Sequence, residues 1–366
     1  MNIKLQIKPA SERRKSQLKP TEPLPFGKLR TDHMFVVDYI DGEWTNAKIV
    51  PYSHFEVAPG AVVIHYAQSI FEGAKAFMHD DSEIYTFRIN KNAERMNVSA
   101  DCLCMPSIPV DFQIRAIHTL IDIDRYWFPV QEGASLYIRP FMFGVDDSLG
   151  VHPSSTYKYA VILSPSGPYY TDGFSKPIRL LITKRFHRAA PGGTGYAKVS
   201  GNYAASLKAG EFAKKFNAAQ VLYLDSTNTY IEEAGSMNHY HITKDGTVVL
   251  PEFTNTILKS ITSLSIIEMA EDLGLKVVQK KIKIDDFIEG VKSGEIVEAG
   301  GFGTAAVISA VGEYVFEDGS KLVVGDGKIG KITRKIYDYY TAIQYGKIKD
   351  KRNWLFKVEK VERVHT

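Results

Sequence analysis

The sequence predicts a mixed α/β (α+β) protein of two domains, and three observations lead there. The chain has 366 residues, a length that suits two domains or one large one. Strand-like runs such as residues 34–40 and 219–224 are interspersed with helix-periodic stretches such as 112–128. Residues 164–173 are dense in serine, proline and glycine, which places the interdomain connection there. The expected divisions are an irregular arm at 1–30, a small domain at 31–164, a connection at 165–176 and a larger domain at 177–366.

Composition narrows the function classes. The chain carries 45 lysines and arginines against 42 acidic residues, a formal charge of +3. That balance is too small to point to nucleic acid or to an acidic membrane. Hydrophobic content of 44% and charged content of 24% are ordinary for a soluble globular protein. Cys102 and Cys104 are the only cysteines. They make no disulfide framework, so a reducing, cytoplasmic setting is expected. No apolar run reaches membrane-spanning length, and the amino terminus lacks a signal-peptide core. It is basic from Lys4 to Arg14 with only Glu12 opposing, and reads as a solvated arm.

The elements follow in order. Residues 34–40 read as a strand, Asp41-Gly42 as a hairpin turn, and the chain returns through Trp44. A second turn at His79-Asp80-Asp81 leads into a strand at 83–88. Asn90 is a good N-cap for a helix whose stripe is Ala93, Met96 and Ala100, with Arg95 beside it. A helix at 112–128 ends at Pro129, and strands are expected at 135–140, 159–163 and 178–183. A helix runs to Phe216, followed by a buried strand at 219–224. His239 and His241 share one face of a further strand and no third ligand stands at metal spacing, so no metal site is expected. Thr256 opens a helix carrying Ile257, Ile261 and Leu264, stopped by Gly274. Val278, Lys280, Ile282 and Ile284 alternate as a strand, and Asp285 or Asp286 caps a short helix. Gly325 to Lys331 looks like half of a nucleotide phosphate loop, but Ile332 stands where a magnesium ligand belongs. Nucleotide binding is thus a weak alternative.

The chemistry centres on Lys198, flanked by Ala197 and Val199. Desolvation favours the neutral amine, and a neutral lysine condenses with a carbonyl to form an imine. Lys198-Val199-Ser200-Gly201-Asn202-Tyr203 is followed by a helix, a strand and Glu233-Ala234-Gly235-Ser236-Met237-Asn238. This K-x-x-G-N-Y and E-x-G-S-M-N pair resembles the branched-chain aminotransferase family, pyridoxal-phosphate enzymes of fold type IV. The resemblance runs from Thr31 to the Trp354-Leu355-Phe356 tail. It implies a small α/β domain, a larger pseudo-barrel domain and a pyridoxal 5′-phosphate cofactor between them.

By that resemblance Lys198 holds the cofactor and moves the proton, Tyr203 meets its phenolic oxygen, and Glu233 pairs with its ring nitrogen. Phe87-Arg88 and Glu94-Arg95-Met96 match the segment whose second arginine, Arg95, clamps phosphate. The amides of Ile261 and Thr262 and the side chain of Thr304 join it, and the Ala305 amide receives the substrate carboxylate. His65 to Phe77, with Phe71-Glu72-Gly73, and Ser135-Leu136-Tyr137-Ile138-Arg139-Pro140 match pocket segments. They assign Tyr66, Phe71 and Tyr137 to the substrate side chain and Arg139 to the distal carboxylate of the acidic co-substrate. Tyr169, with Tyr170 a close competitor, is the tyrosine of the closing loop. Ala306 and Ser309 stand where some relatives carry a redox C-x-x-C, so redox control is not expected there. The implied reaction is amino transfer between leucine, isoleucine or valine and 2-oxoglutarate by a homodimer, with amino acids and 2-oxo acids as its small-molecule partners. D-amino-acid transaminase and aminodeoxychorismate lyase are the rivals within the fold.

Overall fold

The hairpin at Asp41-Gly42 forms as its residues dictate, with φ of 53° and 84° at the two turn positions. It opens the computed structural model, which describes residues 1–13, 18, 24–129, 131–167, 174 and 176–361. The chain divides into two units, Met1–Thr171 with Ile343–Thr366, and Asp172–Ala342.

In the first unit β1 (Lys4–Leu5), β2 (His33–Ile40), β3 (Glu43–Pro51), α1 (Val62–Tyr66), β4 (Ser69–Phe71), β5 (Ala74–Met78) and β6 (Ile84–Phe87) precede α2 (Ile89–Cys102) and α3 (Val110–Ile123), and β7 (Ser135–Gly144) and β8 (Tyr157–Ser166) close the run. The sheet order is β1-β3-β2-β8-β7-β5-β6, with β4 on β7. Because side chains alternate along a strand, β7 has two characters. Leu136, Ile138 and Met142 are fully buried, while Tyr137 and Arg139 leave from the opposite face and meet each other there. Helix α3 lays Phe112 against Phe35 of β2, ring centroids 5.9 Å apart.

In this unit two helix ends differ from the sequence expectation, both through distant partners. Helix α2 starts at Ile89, not behind an Asn90 cap. Arg88 occupies the cap in the left-handed region, its amide donating to the Trp354 carbonyl at 2.6 Å. Helix α3 stops at Ile123 rather than Phe128. Asp124 turns away to hold buried His33, whose Nδ1 lies 2.6 Å from its carboxylate. The tail also differs: Leu355–Lys357 pairs antiparallel with β6, so the described residues from 343 to 361 lie in the first unit and not with the second domain.

The second unit runs β9 (Ile178–Ile182), α4 (Ser200–Lys214), β10 (Gln220–Leu224), β11 (Ile231–Ala234), β12 (Met237–Thr243), β13 (Val248–Pro251), α5 (Ile261–Met269), β14 (Val277–Lys280), α6 (Ile284–Lys292), β15 (Ile296–Gly303), β16 (Val307–Phe316), β17 (Lys321–Val323) and α7 (Lys331–Gln344), before the tail strand β18 (Leu355–Lys357). Strands β9, β10, β11, β12, β15 and β16 pair in a closed ring, because β11 bonds both β10 and β12 and β16 bonds both β15 and β9. The barrel expected of the second domain is therefore present. Leu180, Leu222 and Tyr314 pack with Phe287 of α6, while Leu181, Val221 and Tyr223 pack under α4.

The expected strand through Ile284 ends at Lys280. Ile282 and Ile284 instead enter the cluster around Phe287, and Lys283 takes the α6 cap, leaving Asp285 and Asp286 in the first turn. His239 and His241 pack against Phe287, ring centroids 5.2 and 5.5 Å away. Burial lowers the His241 imidazole to about 3, so it stays neutral. Among the described residues no helix is long and apolar enough to cross a membrane.

The half phosphate loop is explained by a carboxylate from β15. Glu298 accepts the amide of Ile332 at 3.0 Å and that of Thr333 at 2.7 Å. The donors that a phosphate would use at the start of α7 are already held by a carboxylate. E298Q should therefore lower stability by about 1–2 kcal/mol, as loss of a charged helix cap does. The measurement is the urea midpoint at constant slope; an unchanged midpoint would show that these amides have other partners.

Candidate active site

Lys198 lies at the threshold of α4, between Ala197 and Val199, which are 1% and 3% exposed. Asn202 fixes the approach: its Nδ2 donates to the carbonyls of Thr194 (2.8 Å) and Ala197 (3.1 Å), and its Oδ1 accepts the Thr194 hydroxyl at 2.6 Å. Tyr203 follows in the first turn. Its hydroxyl accepts from Lys198 Nζ at 2.6 Å, and the amine lies 4.7 Å from the ring centroid. The K-x-x-G-N-Y spacing thus brings an amine and a phenol together at a helix start.

Glu233 belongs to β11 and is 3% exposed. Burial raises its carboxyl to about 7, against the opposing pull of Arg188, the Leu258 amide and Lys198. Arg188 Nε lies 3.1 Å from Oε2, the Leu258 N–H donates to Oε1 at 3.1 Å, and Asn238 Nδ2 stands 3.5 Å from Oε1. The same guanidinium donates through Nη2 to the carbonyls of Gly195, at 2.9 Å, and Thr256, at 2.5 Å. Neighbouring Glu232 is also buried and its carboxyl is also raised, by burial, although it accepts the Thr256 hydroxyl.

Helix α5 begins at Ile261, not at Thr256. Residues 256–260 are held out of the helix by side chains: Thr256 on Glu232, Leu258 on Glu233 and the Ser260 amide on Asn238 Oδ1. Ser260 is the cap and accepts the Ser263 amide at 3.2 Å. Ile261 and Thr262 are consequently the first two helical residues, whose amides have no acceptor within the helix. Asn238 links these parts. It pairs in register with Glu233 and with Phe302 on opposite sides, and its Oδ1 also accepts the Ser263 hydroxyl at 2.8 Å. Thr304 and Ala305 form the turn between β15 and β16, half-buried. Nearby Val307 holds φ of 63°, a costly conformation for a β-branched residue.

The first unit gathers its own set. Phe71, Tyr137 and Arg139 meet on one face: Arg139 Nη2 donates to the Tyr137 hydroxyl at 2.9 Å, and the guanidinium lies 4.7 Å from the Phe71 ring centroid. Arg139 Nε is buried with no hydrogen-bond acceptor among the described residues. Phe26 stands edge-on to Tyr137 at 4.8 Å. Gly73 makes room, since a Cβ there would fall 2.2 Å from the Tyr137 hydroxyl. Arg95 is turned onto Glu72, with Nε at 2.7 Å and Nη2 at 2.9 Å from its two oxygens, and Asn92 adds a 2.8 Å bond to that carboxylate. Tyr66 ends α1, is exposed and donates to the Leu149 carbonyl. Tyr169 lies outside the described residues.

Arg188, Asn238, Glu72 and Phe26 were not among the sequence candidates. Asn238 and Glu72 sit inside motifs already singled out, and two successive glutamates in a strand signal that a cation must be near. Nothing local marks Arg188 as that cation.

Residues 69–293 match the family model for amino-transferase class IV. Branched-chain-amino-acid aminotransferase 2 of Bacillus subtilis (strain 168) is 44% identical over 337 residues, 92% of each chain. The solved branched-chain amino acid aminotransferase from Escherichia coli is 27% identical with a TM-score of 0.71, covering 89% of this chain and 99% of its own. A T.th. branched-chain amino acid aminotransferase solved with pyridoxamine 5′-phosphate is 25% identical with a TM-score of 0.73, covering 88% and 98%. With a family model spanning more than half of it and relatives of this identity along nearly its whole length, the chain belongs to the class IV aminotransferases, in their branched-chain-amino-acid aminotransferase group, and is a transaminase.

Proposed function

We propose that the chain transfers amino groups reversibly between L-leucine, L-isoleucine or L-valine and 2-oxoglutarate, using pyridoxal 5′-phosphate, as a cytoplasmic homodimer. The observation that carries this is the barrel unit's pairing of an amine bonded to a phenol, at Lys198 and Tyr203, with a buried carboxylate, Glu233. The donor set fits the cofactor. A buried acid with a raised pKa suits a basic ring nitrogen, and helix amides without an internal acceptor suit a phosphate. The bound cofactor supplies a carbonyl for amino-group exchange and an electron-withdrawing ring.

The residues divide the remaining work. The freed amine of Lys198 takes the proton from the substrate Cα and returns it, general acid–base work by a group held beside its target. Tyr203 orients that amine and meets the cofactor's phenolic oxygen. Glu233 would pair with the ring nitrogen. Arg95, the Ile261 and Thr262 amides and Thr304 would hold phosphate, and the Ala305 amide would receive the substrate carboxylate. Phe71, Tyr137 and Tyr66 would line the side-chain pocket. Arg139, its Nε buried without an acceptor among the described residues, takes the distal carboxylate of the acidic co-substrate. With an apolar substrate its charge stays bonded to the Tyr137 hydroxyl and covered by rings.

A donor panel with 2-oxoglutarate as acceptor tests the substrate class: leucine, isoleucine and valine should react, D-alanine and aminodeoxychorismate should not. Borohydride reduction followed by peptide mass analysis should place the pyridoxyl tag on Lys198, and K198A should lose both tag and turnover. A tag on another lysine would overturn the assignment.

R139M removes hydrogen bonds to a charged group, so KM for 2-oxoglutarate should rise about 10-fold or more while KM for leucine changes far less. Equal changes would remove Arg139 from the carboxylate role.

Glu233 titrates near 7 in the folded chain against 4.5 ordinarily, so the cofactor-free fold keeps this proton where the unfolded chain has lost it. Stability from this group is full below pH 4.5 and falls as pH rises through about 7. E233Q removes the dependence, and its urea stability should gain on wild type by about 3 kcal/mol between pH 4.5 and 8. Parallel stability curves would show that Glu233 does not titrate in this range.

A further inference from the structure

Arg188 is tied to three chain segments at once. Its Nε forms an ion pair with Glu233 Oε2 at 3.1 Å that lacks hydrogen-bond geometry, and its Nη2 donates to the Gly195 carbonyl at 2.9 Å and the Thr256 carbonyl at 2.5 Å. Gly195 lies in the loop that delivers Lys198, and Thr256 in the segment that delivers the first turn of α5. The junction is tight. A Cβ on Gly195 would stand 2.6 Å from the Thr256 carbonyl oxygen and 2.8 Å from its Cα. Two backbone segments therefore touch directly, and a single buried guanidinium, 8% exposed, satisfies the carbonyls of both. A planar fork can do this; an ammonium on a flexible stem reaches fewer acceptors in fixed directions.

We infer that Arg188 is the positioning residue of this site: one guanidinium aims the Glu233 carboxylate and fixes the Lys198 loop against the segment leading into α5. This deepens the proposed function and rests on its placing Glu233 at the ring nitrogen. Two consequences follow from the geometry. Removing the guanidinium leaves Glu233 with the Leu258 amide and Asn238 as its close donors, and it leaves two carbonyls without their shared donor. Arg188 is also the leading influence that opposes the burial-driven rise of the Glu233 carboxyl, so without it the acid holds its proton to higher pH.

The test is an infrared titration of the full-length, cofactor-free protein, with the Glu233 carboxyl band identified by its loss in E233Q. It runs beside pH profiles of kcat/KM for the loaded enzyme. R188M should move both the Glu233 titration and the acid limb of the profile upward by about one pH unit or more. R188K, which keeps the charge but not the fork, should show a smaller upward shift and a reduced kcat/KM. A titration and limb that stay at their wild-type positions in R188M, even with the rate lowered equally at every pH, would make the role merely structural and overturn the inference. If R188M does not fold, R188K decides: wild-type titration together with wild-type kcat/KM overturns it. The infrared result needs no turnover. A wild-type protein that fails to use leucine would therefore sink the proposed activity while leaving the Arg188–Glu233 question answered.

Discussion

A carboxylate buried in a barrel wall is the constraint on which the second unit depends. Taking a charged carboxylate out of water costs several kcal/mol unless donors surround it. Glu233 is 3% exposed, and Arg188, the Leu258 amide and Asn238 are the groups that meet it. Each donor fixes a different stretch of chain. Leu258 must point its N–H at the acid, so residues 256–260 stay out of the helix and α5 begins only at Ile261. Asn238 turns its amide toward Glu233 and its oxygen toward Ser260 and Ser263, which sets the first turn of that helix. Solvating one acid therefore positions the helix start whose amides suit a phosphate.

The parts legible in the sequence are those whose partners are near in sequence or implied by a short motif. Lys198 and Tyr203 are five residues apart, so a helix beginning between them brings amine and phenol together without help from the rest of the fold. Glu233 and Asn238 face each other across one tight β-hairpin, again five residues apart. The hairpin at Asp41-Gly42 is equally local.

The illegible parts are set by groups far along the chain. Helix α3 ends early because Asp124 serves His33, 91 residues away. Helix α2 starts early because Arg88 meets Trp354, whose guanidinium-to-ring distance of 4.6 Å also fastens the tail. The tail strand has three residues, too short for any periodic signal. Thr256 has the composition of a helix opener, but its hydroxyl is taken by Glu232. The half phosphate loop has the glycines and lysine of a nucleotide site, and a carboxylate from β15 decides against it. In each case local preference is worth about 1 kcal/mol, and a buried partner outweighs it.

The first unit solves a different problem, how one surface can tolerate an apolar group and still hold a cation. A lone lysine there would keep a strongly hydrated point charge beside any hydrocarbon. Arg139 instead spreads its charge over a plane whose faces lie near aromatic rings, 4.7 Å from the Phe71 centroid and 5.3 Å from that of Tyr137. Its Nη2 is occupied by the Tyr137 hydroxyl, so polarity remains mainly along one edge of the guanidinium. The arrangement needs the tyrosine hydroxyl at that point, and the hydroxyl needs the space at Gly73, where any side chain would overlap it. The glycine of Phe71-Glu72-Gly73 is therefore a condition of the cation's placement. The glutamate between them turns the other way, to Arg95, so three successive residues of one short segment serve a ring, a second arginine and a hydroxyl.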